Sequence, residues 1–236
     1  MSSIDTSIVD TLSLINQIRD YEPNLMGIIF DYVFVPCSED QEGKHKYIRI
    51  IPTPRTTSIC DKAFYNNNKL EWVIIDNSVK SIGYCAFGYC SSLNDVTIPN
   101  SIKSIGGCAF IKCSSLNDVT IGNSIKTISD GAFNGCSSLT HLTIPNSIKT
   151  IGNSAFFGCS SLIELTIDNS IQTIGKYAFS CCSKLTHLTI PNSIQTIGYC
   201  SFYGCSSLRE VNIPKHLETI VKDNNVFPKD TKIIVR

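Results

Sequence analysis

The sequence predicts an α/β repeat solenoid, a stack of 23-residue coils closed at its N-terminal end by a helical cap. Three observations predict it. Phenylalanine recurs without insertion at Phe64, Phe87, Phe110, Phe133, Phe156, Phe179 and Phe202, and a period of about 20 to 50 residues marks a stacked architecture. Leucine keeps the same register at Leu70, Leu93, Leu116, Leu139, Leu162, Leu185 and Leu208, and isoleucine at Ile75, Ile98, Ile121, Ile144, Ile167, Ile190 and Ile213. Cysteine fills a further column, Cys90, Cys113, Cys136, Cys159, Cys182 and Cys205.

Composition narrows the function classes. The 236 residues are 42% hydrophobic, enough for a core, and 20 basic residues balance 20 acidic ones. No global field therefore points to nucleic acid or membrane. Met1 is not followed by a basic and then apolar leader, no run of about 18 apolar residues occurs, and no Asn is followed two positions later by Ser or Thr. These features predict a cytoplasmic chain with no membrane span, cell-surface exposure by a route not visible in the sequence being the alternative.

Half of the twelve cysteines lie on one repeat column. Copying explains them better than a disulfide framework, and buried thiols stacked about 4.8 Å apart would act as small apolar side chains. Cys85 and Cys108 share a second column and are the more readily oxidised pair. Cys37, Cys60, Cys181 and Cys200 have no patterned partner. Without closely spaced Cys and His pairs, no zinc or other metal site is expected, and no cofactor.

Residues 1–45 lack the repeat. Ile8, Leu12, Ile15 and Ile18 keep a helical apolar spacing that breaks at Glu22-Pro23, and the apolar run 25–35, with Met26, Ile28, Ile29, Phe30, Val33 and Phe34, is suited to cover the open end of the solenoid. Residues 38–46 read as a polar turn. Tyr47 to Ile51 alternates like a strand that would pair with the first repeat strand. The repeat domain then occupies 46–236, with a first copy that holds Asn67 at the cysteine position, a degenerate eighth copy around Pro214, Leu217 and Ile220, and a closing strand at Ile233 to Val235.

Within a unit, Leu-x-x-Leu-x-Ile is a half-buried strand, Pro-Asn-Ser a turn, Ile-Lys-Thr-Ile a second extended piece, and Ser-Ala-Phe-Phe-Gly-Cys a helical turn ended by glycine. The predicted inward set of one coil is Ala132, Phe133, Cys136, Leu139, Leu142, Ile144, Ile148 and Ile151. The pattern LxxLxIPxSIxxIGxxAFxGCSS, as in residues 139–161, resembles the BspA-type leucine-rich repeat over about residues 53–220. The resemblance implies a right-handed curved solenoid with the LxxLxI strands as a parallel concave sheet, and a binding role rather than catalysis. It also implies kinship with cell-surface adhesins.

Alternation places two columns on that concave face: Trp72, Asp95, Asp118, His141, Glu164, His187 and Glu210, and beside it Ile74, Thr97, Thr120, Thr143, Thr166, Thr189 and Asn212. These are the candidate binding residues for a protein partner, with the chain itself expected to be monomeric. Trp72 and Ile74 form an apolar pair that needs cover, either from the N-terminal segment or from the partner. A third column, Lys80, Lys103, Lys126 and Lys149, continues as Gln172, Gln195 and Glu218. Four lysines at rung spacing could attract an anion. No aromatic column accompanies them for base stacking, so nucleic acid is not expected.

The main functional reading is a protein-protein interaction module acting through the concave face, with a cell-surface adhesin as the alternative. Two narrower readings have residues behind them. The run 22–33, EPNLMGIIFDYV, resembles the opening of an F-box, which implies a ubiquitin-ligase substrate adaptor. The threonine column resembles that of ice-binding solenoids, although its neighbouring column carries Asp, Glu and His. No nucleophile motif or phosphate loop suggests an enzyme.

Overall fold

The computed structural model describes the backbone of residues 32–36 and 47–52 and all of residues 57–236. Each unit forms one coil with a long and a short strand. The long strands are β4 (Trp72–Ile75), β6 (Asp95–Ile98), β8 (Asp118–Ile121), β10 (His141–Ile144), β12 (Glu164–Ile167), β14 (His187–Thr189) and β16 (Glu210–Ile213). In β10, His141 and Thr143 are exposed while Leu142 and Ile144 are buried, the period of two that a one-sided sheet requires. The step of 23 residues fixes register: His141 lies opposite Glu164, and Leu142 opposite Leu165, in parallel pairing.

The Ile-Lys-Thr-Ile piece is the origin of a second set of parallel strands, each of two residues. These are β3 (Ser58–Ile59), β5 (Ser81–Ile82), β7 (Ser104–Ile105), β9 (Thr127–Ile128), β11 (Thr150–Ile151), β13 (Thr173–Ile174) and β15 (Thr196–Ile197). Their isoleucines point inward and their Ser or Thr outward. Between the two sets lies the core. The eight side chains assigned inward for one coil are all at most 2% exposed.

Phe64 to Phe202 stack coil upon coil, with ring centroids 5.1–5.3 Å apart and planes within 9° of parallel. Phe227 extends the stack by one more ring at 5.3 Å. Burying each ring is worth about 1.5–3 kcal/mol, and because its neighbours belong to adjacent coils, stability resides in the junctions between coils.

The cysteine column is more than apolar filling. Each thiol donates to the carbonyl of a phenylalanine in the preceding coil, Cys113 Sγ to Phe87 O at 3.0 Å and Cys136 Sγ to Phe110 O at 3.2 Å. Every cysteine from Cys60 onward is a free thiol. Burial pushes Cys90 and Cys159 up to about 12, and raises Cys113, Cys136 and Cys182 as well, the last chiefly through its hydrogen bond with Cys205.

Two results follow from this ladder. Cys113, Cys136, Cys159 and Cys182 are expected to resist thiol reagents in the native protein and to react fully on unfolding without reductant. Stability from these thiols is complete below the ordinary thiol value of 9, because both states are then protonated. It declines as pH rises above 9, where only the unfolded chain releases the protons, and for Cys159 it does so up to about 12. Denaturant midpoints measured from pH 8 to 11, with a Cys136→Ala variant showing a shallower decline, check the second result.

The outer side departs from expectation. The segments expected to form helical turns are linked tight turns, and the described α-helix is α1 (Glu218–Asp223), which follows a single 3-10 turn at Lys215–Leu217. The reason lies in the backbone. One column adopts the left-handed conformation in every coil, at Lys62, Cys85, Cys108, Gly131, Ser154, Tyr177 and Cys200, with φ between 51° and 65°. A second does so four residues later, at Asn66, Tyr89, Lys112, Gly135, Gly158, Cys181 and Gly204.

Left-handed residues cannot propagate a right-handed helix. They turn alternate N–H groups outward along the stack: Phe87 N donates to Ala109 O at 2.8 Å and Tyr89 N to Ile111 O at 2.6 Å, while Gly88 N closes its own turn on Cys85 O at 2.9 Å. A helical turn would have aimed both sets within the coil. Cross-coil hydrogen bonds are thus made on the outer side as well as in the sheets.

One coil is irregular. Gly106, Gly152, Gly175 and Gly198 each donate the backbone N–H to an isoleucine carbonyl of the preceding coil at 2.7–2.8 Å. At the equivalent position stands Ser129, and its hydroxyl, rather than its amide, meets Ile105 O. A Cβ at the glycine positions would meet preceding backbone at 2.5–2.8 Å, so serine cannot sit as close. The short strands accordingly divide into β3-β5-β7 and β9-β11-β13-β15, with β7 and β9 unpaired. Amide hydrogen exchange should be faster at Ser129 than at Gly106 or Gly152. Ser129→Gly should slow it to the level of those two.

The long strands form the sheets β1-β2-β4-β6-β8, β10-β12 and β14-β16-β17, where β1 is Tyr32–Pro36, β2 is Tyr47–Pro52 and β17 is Lys232–Val235. β2 runs parallel to β4, with Tyr47 opposite Trp72, as its alternation predicts. β1 corrects the expectation of helix through residue 45. It lies antiparallel to β2, Phe34 opposite Ile50, because Tyr-Val-Phe-Val satisfies an open strand edge that a helix would leave unpaired. The rest of the expected helical cap, with Met26, Ile29 and Phe30, and most of the F-box-like run lie outside the described residues. At the other end β17 closes the sheet beside β16, Val211 opposite Ile233.

Candidate functional site

The strand face presents the two predicted columns together. Asp118, His141, Glu164, His187 and Glu210 are exposed, as are Thr97, Thr120, Thr143, Thr166 and Thr189. Trp72 and Asp95 are half-buried at the N-terminal end, and Ile74 beside them remains 49% exposed. Adjacent rungs set Trp72 opposite Asp95 and Asp95 opposite Asp118. Burial, reinforced by the Asp118 carboxylate, raises the Asp95 carboxyl above its ordinary range. Glu210 is drawn to the C-terminal strand by Lys232, Nζ to Oε2 at 3.3 Å.

An open depression of about 490 Å³ lies on this face where β8 and β10 are unpaired. Asp118, Thr120, His141, Thr143, Thr166 and Asp168 line it. Its donors and acceptors suit hydrogen bonding to a polar ligand. His141 Nδ1 lies 2.9 Å from Thr140 Oγ1, and His187 Nδ1 lies 3.0 Å from Thr186 Oγ1, so each ring is held by its chain neighbour. Among the described residues no three His, Cys, Asp or Glu side chains gather as metal ligands.

Two features of the outer side accompany this face. Cys85 and Cys108, the pair singled out as oxidisable, occupy adjacent left-handed positions as free thiols. Burial first and Cys85 second raise the Cys108 thiol. All six tyrosines of residues 57–236, namely Tyr65, Tyr84, Tyr89, Tyr177, Tyr199 and Tyr203, lie on the outer arc and are 39–57% exposed. Tyr65 and Tyr89 meet edge to face at 5.4 Å, and Tyr177 and Tyr199 at 5.7 Å. Placing each tyrosine on the 23-residue period would have revealed this clustering, which apolar columns alone do not.

Coils of 23 residues with a long and a short parallel strand define a leucine-rich-repeat β-solenoid. The model of the BspA type leucine rich repeat region matches residues 57–147 and 126–233 in six copies, and the chain belongs to that family. No curated protein matches the sequence.

Among solved structures, the leucine-rich repeat protein of T. pallidum is similar at 24% identity and a TM-score of 0.66, over 86% of this chain and 97% of that one. A leucine-rich repeat protein of Eubacterium ventriosum is similar at 24% identity and a TM-score of 0.59, over 74% of this chain. A leucine-rich cell surface protein of Faecalibacterium prausnitzii gives 23% identity and a TM-score of 0.49, over 78% of this chain. The match spans 58% of the Faecalibacterium chain and 50% of the Eubacterium chain. Among the described residues no helix is long and apolar enough to cross a membrane.

Proposed function

We propose that the chain is a protein-interaction module whose partner docks on the strand face, the concave face of the family resemblance. The observation that carries this reading is that face itself: two exposed columns on a backbone held by the inter-coil ladders, with a polar depression near Thr143 and an apolar Trp72-Ile74 pair at one end. A rigid surface loses little entropy on binding.

The test is affinity capture from native extract with the full chain and with Thr120→Arg/Thr143→Arg/Thr166→Arg, whose altered side chains leave the core untouched. A partner retained by the parent and by an outer-arc variant, Lys176→Glu, but lost by the triple variant supports the reading. Equal retention by the triple variant overturns it.

The family match also supports a second setting for the same surface, adhesion at the cell exterior, in place of a cytoplasmic one. Labelling intact cells with a membrane-impermeant amine reagent separates the two. Labelled protein supports the adhesin, and labelling only after lysis supports the cytoplasmic module.

A further inference from the structure

We infer that the edge bearing Lys80, Lys103, Lys126 and Lys149 is a binding surface for a linear sulfated polysaccharide. The four ammonium groups stand on consecutive coils, and the backbone fixes their interval. Lys103 N donates to Lys80 O at 2.7 Å and Lys149 N to Lys126 O at 2.8 Å, with Gln172 N to Lys149 O at 2.8 Å beyond them, and the ladder is interrupted between Lys103 and Lys126, where β7 and β9 are unpaired. The same coils place their phenylalanine rings 5.1–5.3 Å apart. All four lysines are exposed, and the contact made by an ammonium among them is a long one from Lys80 Nζ to Asn77 O at 3.5 Å.

The strip around Lys103, Lys126 and Lys149 holds no carboxylate, while the stretch that carries Lys80 begins at Asp76. Residues 99–106, 122–129 and 145–152 each contain one lysine and otherwise only Asn, Ser, Thr, Gly, Pro and Ile. The nearest acids flank the strip at its borders. Asp76 is occupied with Ser78 N at 2.9 Å, Asp168 lies beyond Lys149, and Asp130 is bonded to Asn153 N at 2.7 Å. Asp95, Asp118, Glu164 and Glu210 stand apart from this edge, on the strand face. Like charges repeated at the coil interval repel one another, and a bound polyanion relieves that repulsion.

The form of the strip selects among polyanions. It is one charged side chain wide and several coils long, so it follows a chain better than a plane. Its flanking row of Ser81, Ser104, Thr127 and Thr150 offers hydroxyl donors to sulfate oxygens. It displays no aromatic side chain on which bases could stack and no exposed apolar side chain to enter a lipid surface. Both absences are on the strip itself, within the described residues.

Heparin is the probe, titrated with the full chain at several salt concentrations. The variant Lys103→Gln/Lys126→Gln removes two of the four charges and is compatible with the fold, because the same column already holds Gln172 and Gln195. Its affinity should fall at least about tenfold, and its dependence of log affinity on log salt should become about half as steep. The control Lys112→Gln/Lys176→Gln, on the outer arc, should bind as the parent does. The inference is overturned if heparin does not bind, if the column variant binds like the parent, or if single-stranded DNA or phosphatidylserine vesicles bind as tightly as heparin through the same lysines.

Discussion

Phe133→Ala is expected to lower the unfolding free energy by about 3–5 kcal/mol, as a large buried ring is replaced by a cavity. The ring is fully buried and sits 5.2 Å from Phe110 and 5.3 Å from Phe156. Removal therefore damages two junctions at once. Thr143→Ala, on the open strand face, should cost under about 1 kcal/mol. Denaturant midpoints of the two variants measure the contrast. Equal shifts would mean that the inside and outside of the coil had been exchanged.

Gly175→Ala is the second large effect expected, and it arises from the backbone. A Cβ at that position would lie 2.6 Å from Gly152 C and 2.7 Å from Asn153 N, atoms that can move only if the coils separate. Overpacking of this kind costs about 1–3 kcal/mol, occasionally more. Gly158→Ala is the matched control. Its φ of +70° is unfavourable for alanine, but the nearest atom to the added Cβ is Gly135 Cα at 4.0 Å. The cost there should be about 1 kcal/mol, from conformation alone. If Gly158→Ala proves the more damaging, close approach between coils is not what the glycine at 175 protects.

These two positions show what can be read from residues alone. The Phe, Leu and Ile columns were legible because burial demands apolar character at a fixed step, and the strand-face columns because alternation in Leu-x-x-Leu-x-Ile leaves no other arrangement. The left-handed columns were not. One contains Lys62, Cys85, Gly131, Ser154 and Tyr177, side chains that share no chemistry, since the common property is a backbone angle imposed by hydrogen bonding to the next coil. The same demand explains the missing outer helices. Ala-Phe-Phe-Gly-Cys looks like a helical turn locally, and only the adjacent coil turns its amides away. The strand at Tyr32–Pro36 was hidden for a related reason: an unbroken apolar run has no period of its own, and an unpaired sheet edge decides its form.

Burial of the cysteine column is legible in its place on the repeat, whereas its hydrogen bonds are not. A thiol fills an apolar space as a small hydrophobe while also offering a weak donor, which Cys136 directs to Phe110 O of the neighbouring coil. On the strand face, sequence identified the residues but not the depression. That depression lies where β8 and β10 are unpaired, beside the coil that carries Ser129.

That coil has a mechanical consequence. Tension applied along the axis of a regular ladder is shared among identical rungs, but here the bond between Gly106 and Ile82 has no backbone counterpart between Ser129 and Ile105. Pulled from its ends, the array should yield at this defect before the junctions whose short strands are paired. Its two portions would then act as separate springs joined by a breakable link, whose extension a single-molecule force trace would register as an early step and Ser129→Gly would remove.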